Sequence, residues 1–313
     1  MLWLASARAI HIWASILLAG VFAFRLVVLA PAASRYNWVD RFQPRFKGLW
    51  GRLALVAWLA LILSAILWFD LVAASISGAA TLFDLDGDTL STVLSQTHFG
   101  HLWAWRLGGC LVVGILLFIG TREVVTAAFS FAILASLAFS GHSDAIVANA
   151  GPLPVLGDIG HLVAAAFWPG GLVPLLLFLL GQDRAGDRGT RIIVAEVVRR
   201  FSGLSLVVVG LLVATGLLNT YFIVGSLGAL FTTDYGRLLL LKIALFILML
   251  GLGAWNLFVL KPRLSRAAMV ETKTEGAALT TRTLIRSVAG EALLAACVFL
   301  VVGFLGATPP PMH

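Results

Sequence analysis

The sequence predicts an all-α polytopic membrane protein: a bundle of eight transmembrane helices with both termini outside. Three observations carry this expectation. The 313 residues are 60% hydrophobic and only 12% charged, with mean hydropathy +0.99, whereas soluble domains carry about 25% charged residues. Apolar runs fall at about 9–30, 53–74, 102–120, 124–141, 159–180, 201–224, 236–260 and 287–306, each near the roughly 20 residues that cross a bilayer core as a helix. The basic residues then alternate from one connection to the next.

The first run has the outline of a secretory signal, since Arg8 precedes it and Ala30-Pro31-Ala32 looks like a cleavage region. A signal has an apolar core of about 7–15 residues. This run is longer and its basic segment follows it, so we expect a retained first helix. The first connection holds Arg35, Arg41, Arg45, Lys47 and Arg52, the third Arg122, and the fifth Arg184, Arg188, Arg191, Arg199 and Arg200. The seventh holds Lys261, Arg263, Arg266, Lys273, Arg282 and Arg286. Even connections carry Asp70, Asp84, Asp86, Asp88, Asp144 and Asp234 instead. Positive-inside sorting puts the odd connections in the cytoplasm.

With only short connections left, residues 1–313 form a single integral membrane domain. The net charge of +7 sets topology and implies no nucleic-acid partner. The loop at Leu85-Asp86-Gly87-Asp88 lacks the spacing and final glutamate of a calcium loop and reads as solvated. Cys110 and Cys297 lie inside apolar runs, as small core residues with no sign of a disulfide. The run Pro309-Pro310-Pro311 cannot continue a helix, and we find no repeat of the soluble type. Most tryptophans sit near predicted helix ends, as an interfacial belt would place them.

Threading the chain through eight crossings puts His11, His98, His101, His142 and His161 toward one face. Imidazole is the commonest biological metal ligand, so the five together point to a shared site. Taken singly, each serves equally well as a satisfied interface residue. His98 and His101 share a helix face by their spacing. His142 follows Ser140-Gly141 at the end of the fourth run. His161 opens the fifth run with Asp158 three residues before it, a spacing that lets a carboxylate hold the second ring nitrogen of a ligating imidazole. His11 lies at membrane depth, where ionisable groups mark function by default. Arg106, Asn219, Arg237 and Lys242 read equally as snorkelling or hydrogen-bonded groups. Glu291 reads as the partner of a basic group or as a relay.

Several segments resemble the CopD/PcoD family of copper-resistance membrane proteins. They are the stretch from Gly160-His161 to Trp168-Pro169-Gly170-Gly171, Ser140-Gly141-His142, Phe201-Ser202 with Thr215-Gly216 and Asn219, Thr233-Asp234-Tyr235-Gly236-Arg237 with Lys242, and Arg286-Ser287-Val288 with Glu291. The resemblance implies a bacterial inner-membrane protein of copper homeostasis that passes copper from the periplasm towards the cytoplasm. It implies His142 and His161 as ligands, with His11, His98 and His101 as further candidates, and periplasmic copper carriers as partners.

Met1, Met249, Met269 and Met312 are the only methionines, so the candidate cluster is imidazole-rich rather than soft. This leaves copper(II), zinc or haem open beside copper(I). A haem-binding redox protein with two of these histidines as axial ligands is the competing reading. No Walker motif occurs, no enzyme activity is expected, and an ATP-driven pump is excluded. Single-cysteine labelling at positions 86 and 273 tests the topology: the two should react from opposite sides of the membrane, and same-side labelling overturns it.

Overall fold

A bilayer core contains no water, so a spanning segment closes its backbone hydrogen bonds within itself, and apolar runs of this length fold as helices. The computed structural model describes residues 2–36, 39–79, 81–140, 151–182, 188–269 and 275–311. Among these, eight helical stretches are long and apolar enough to cross: Leu2–Arg35, Gly48–Ser77, His98–Ile119, Glu123–Ser140, Leu153–Gln182, Arg188–Val224, Asp234–Ala268 and Ala278–Ala307. They are the first to eighth helices below. The described residues contain no strand, so the chain is an all-α, multi-pass membrane protein. Several helices outrun the apolar runs that predict them. The sixth begins at Arg188 rather than near 201, because a helix persists into the polar interface where hydropathy no longer marks it.

The first and fifth helices form the centre. Protein encloses 72% and 67% of their apolar windows, against 11–39% for the other six. Small residues make this possible. A Cβ on Gly20 would lie 2.6 Å from the carbonyl carbon of Gly170 and 2.8 Å from the Ala166 oxygen, and one on Gly170 would lie 2.6 Å from the Ile16 oxygen. Close backbone approach of this kind holds membrane helices together where lipid supplies no hydrophobic drive. The first helix also packs on the second, fourth and eighth. At one end Arg25 pairs with Glu123, and Glu196 accepts from Arg199 and Arg200. These ion pairs tie the first helix to the fourth and brace the sixth.

Three helices are irregular within their length. The fifth divides into Leu153–Phe167 and Pro169–Gln182 at Trp168, where Pro169 brings no N–H. The first contains a π-helical segment at Phe24–Leu29 and the seventh another at Asn256–Leu260. Such segments recur at functional sites.

The third and seventh helices begin alike. Thr97 accepts from Gly100 N–H at 2.8 Å, and Thr233 accepts from Gly236 N–H at 3.0 Å. Each is preceded by a short helix, Gly87–Gln96 or Leu227–Thr232. Asp86 caps the first of these by accepting from Thr89 N–H at 2.7 Å. Its loop is therefore a capping device as well as a solvated one, and the bonds from Thr89 hold its carboxyl below the usual carboxylate range.

His11 is fully buried and links three helices. Its Nδ1 lies 3.2 Å from Leu61 O and 3.1 Å from Ser64 Oγ, and its Nε2 lies 2.6 Å from Arg106 Nη2. Because a carbonyl only accepts and a guanidinium only donates, the ring carries its proton on Nδ1 and accepts at Nε2. Arg106, itself buried, also donates to Ile133 O at 2.8 Å and to Ser136. Trp68 and Trp103 pack on the imidazole with ring centroids 5.5 and 5.6 Å away. The interfacial-belt expectation fails for Trp50, Trp68, Trp103 and Trp168, all at most 3% exposed. They fill the polar–aromatic interior instead.

Two outcomes follow for stability in detergent or nanodiscs. Gly20→Val should destabilise by at least the about 1–3 kcal/mol of an overpacked core, because only backbone faces the new atoms. Arg106→Met should lose about 1–3 kcal/mol through the orphaned His11 acceptor. The double variant His11→Leu/Arg106→Met should then be less destabilised than the two singles summed, and strict additivity would show that the pair does not interact.

Candidate metal site

His161 stands on the N-terminal half of the fifth helix, against the sixth. Glycines bring the two helices together there: a Cβ on Gly157 would lie 3.2 Å from Asn219 Oδ1, and one on Gly160 3.5 Å from Thr215 Cγ2. His161 Nδ1 lies 2.9 Å from Thr215 Oγ1. The Thr215 hydroxyl is 2.7 Å from Leu211 O, a group that only accepts. Its single hydrogen goes to that carbonyl, so the hydroxyl accepts from His161 Nδ1–H. The network therefore assigns the proton of neutral His161 to Nδ1 and, among the described residues, leaves the Nε2 lone pair without a recorded partner, the form in which imidazole binds metal. Gly216 leaves the ring edge clear, since a Cβ there would come 3.7 Å from Cε1. Beside the ring, Asp158 Oδ1 accepts from Asn219 Nδ2 at 2.6 Å. The Lys242 ammonium lies within electrostatic reach of both His161 and Asp158, and Tyr235 faces Asp158.

The other candidates separate. His11 has both ring nitrogens engaged, so it presents no free lone pair. His98 and His101 are exposed at the start of the third helix, and His101 Nε2 lies 2.7 Å from Ser95 O. His101 thus helps fasten the helix start. His142 lies outside the described residues. Among those described, no three His, Cys, Asp or Glu side chains come together as a metal cluster. For Asp158 the geometry corrects the expected arrangement: the partner recorded at His161 Nδ1 is Thr215, and Asp158 faces Asn219.

The surroundings of His11 and His161 follow one plan. Each histidine sits on the first helix of a four-helix half and bonds through Nδ1 to a hydroxyl on the next helix, Ser64 or Thr215. Each hydroxyl turns back to a carbonyl of its own helix, Ala60 or Leu211. The third helix of each half brings a cation, Arg106 or Lys242. The residue one turn before each histidine meets the residue one turn after the hydroxyl: Arg8 over the Trp68 ring at 4.5 Å, and Asp158 with Asn219. At the third-helix starts, His101 and Arg237 occupy matching places, each reaching a carbonyl six residues back.

The two four-helix halves thus repeat one arrangement around their histidines, a likeness within the membrane helices and not a repeat of the soluble type. The halves differ in charge. Around His11 stand Arg8 and Arg106, and among the described residues neither has a carboxylate partner. Around His161 stand Asp158 and Lys242, of opposite charge. Among the described residues, only the second cluster combines an imidazole nitrogen without a recorded partner with a nearby carboxylate.

Residue reading alone did not single out Thr215 or Tyr235. The signal was a hydroxyl on the sixth helix four residues before Asn219, matching Ser64 before Trp68.

The family model described as Copper resistance protein D matches residues 195–305, and that described as Copper resistance protein D-like, N-terminal domain matches residues 1–151. The chain is 27% identical over 303 residues to Copper resistance protein D of Pseudomonas syringae pv. tomato, covering 95% of this chain and 93% of that protein. It is 29% identical over 270 residues to Inner membrane protein YebZ of Escherichia coli, covering 84% and 85%. It is 40% identical over 144 residues to Copper transport protein CutJ of Bacillus subtilis, which covers 46% of this chain but only 26% of that longer protein. No solved structure matches the chain significantly. Matches in both halves, with relatives aligned nearly end to end, show that the chain belongs to the copper resistance protein D family of membrane proteins.

Proposed function

We propose that this chain binds copper at its periplasmic-side histidines, with His161 as the principal ligand, and passes it across the bacterial inner membrane towards the cytoplasm. The observation that carries the reading is the open Nε2 of His161, fixed by Thr215 and flanked by Asp158. His142 is proposed as the second ligand, and His98 and His101 as residues that first capture copper at the rim. His11 is assigned to structure, since Arg106 already occupies its free nitrogen. Periplasmic copper carriers are proposed as donors. The copper transport name of the CutJ relative and the inner-membrane name of YebZ support the direction of this reading.

The same geometry weighs against haem. Every axial pair that includes His11 is disfavoured, because its lone pair is taken by Arg106.

His161→Ala should abolish tight copper binding by purified protein and lower cellular copper accumulation at equal membrane expression. Thr215→Val keeps the shape but removes the acceptor that holds the imidazole, and should weaken copper binding about 10–100-fold with little loss of stability. Binding should also weaken as pH falls, because protonated imidazole cannot coordinate. Normal copper handling by well-expressed His161→Ala would return this residue to a structural role. A Soret band in the purified protein that vanishes with His161→Ala would replace copper by haem.

A further inference from the structure

Away from the histidines, a cavity of about 180 Å³ opens among the fifth, sixth, seventh and eighth helices, lined in part by Trp168, Ser202, Ser205, Asn256 and Glu291. It has room for several water molecules. Part of its polar lining comes from the irregular parts of the fold: Trp168 stands at the break in the fifth helix, and Asn256 opens the π-helical segment of the seventh. Broken helices near the membrane midplane are where transporters of other folds place their ion sites. Gly253 keeps the space open, because a Cβ there would lie 3.5 Å from Glu291 Oε2 and 3.7 Å from Trp168 Cζ2.

Glu291 is 3% exposed and Asn256 8%. The Asn256 amide donates to the Glu291 carboxylate, and so does the Trp168 indole N–H. The expected basic partner of Glu291 is therefore replaced by two neutral donors. No other ionisable side chain lines the cavity among the described residues: the sixth helix contributes serines, the fifth Trp168, and the seventh Asn256. Asn256 Oδ1, meanwhile, is buried and has no hydrogen-bond partner.

We propose that Glu291 is a proton-binding site of the bundle, loading and releasing a proton through this cavity. The donor set of carboxylate, amide and hydroxyl oxygens is hard, so it suits a proton better than a soft metal. The ionised state has its partners in place. Ionised Glu291 accepts the Asn256 and Trp168 N–H groups. The neutral acid gains one O–H donor, and Asn256 Oδ1 is the acceptor still lacking one. Proton release is a simple dissociation to water in the cavity, leaving a carboxylate with no counter-charge beside it, an arrangement in hydrocarbon that marks function by default. The inference does not depend on copper binding.

Infrared difference spectroscopy of the protein in nanodiscs, titrated in pH, tests it. A carboxylic-acid carbonyl band should appear reversibly as pH falls and be lost in Glu291→Gln, which keeps an acceptor for both N–H groups. Trp168→Phe removes a donor to the charged form, so the band should appear at higher pH. Independently of any variant, a hydrophobic carbodiimide should label Glu291 of the wild type more at low pH, read by mass spectrometry. Absence of any Glu291 band or adduct at every pH would show a permanently ionised structural acid. A band invariant with pH would show a permanently neutral one. A band governed by sodium concentration rather than pH would make this a metal-cation site. Each of these overturns the proposal.

Discussion

Hydrocarbon offers no hydrogen bonds, so a charged or strongly polar side chain carried into this bundle is held there chiefly by partners in the protein. That constraint organises the structure around two histidines. His11 could enter the interior because Leu61, Ser64 and Arg106 satisfy both of its nitrogens. Arg106 could enter because His11, Ile133 and Ser136 receive its hydrogens. Once those bonds are made, the first four helices have one register, and the glycine contact between Gly20 and Gly170 docks them on the fifth.

The second half meets the same constraint differently, and the difference is where function enters. Thr215 repeats the role of Ser64, but Lys242 replaces Arg106, and no guanidinium occupies the far side of the His161 ring. Asp158 stands where the first half has Arg8, and Asn219 where it has Trp68. One copy of a shared plan is closed by a cation; the other is left able to receive one. A polar group inside a membrane usually reports function. Here the shared plan separates the histidine that ties the helices together from the one proposed to hold a ligand.

Much of this was legible in the sequence, for physical reasons. Bilayer thickness fixes the length of an apolar run, so the eight crossings were visible from hydropathy alone. His161 and its neighbours were visible as polar residues in apolar surroundings. What escaped were the pairings. Nothing local says that Arg106 reaches back to His11, or that Glu291 turns to Asn256 rather than to a base. Trp68 and Trp103 read as interface anchors because near-terminal position is all a single sequence offers. The repeat escaped because its matching positions hold different residues: Arg8 and Asp158 have opposite charge, and Trp68 and Asn219 share no chemistry. Only the contact pattern survives, and the sign change that hides it in sequence is what separates the roles of the two halves.

The account turns on one asymmetry, an engaged Nε2 on His11 and an open Nε2 on His161. Nitrogen-15 NMR of histidine-labelled protein in nanodiscs, assigned by single substitutions and recorded with and without silver(I) as a diamagnetic substitute for copper(I), reads it directly. Both rings should be neutral with the proton on Nδ1, and silver should shift His161 Nε2 while leaving His11 unchanged. A shift at His11, or an unmoved His161 in the loaded protein, would contradict the account.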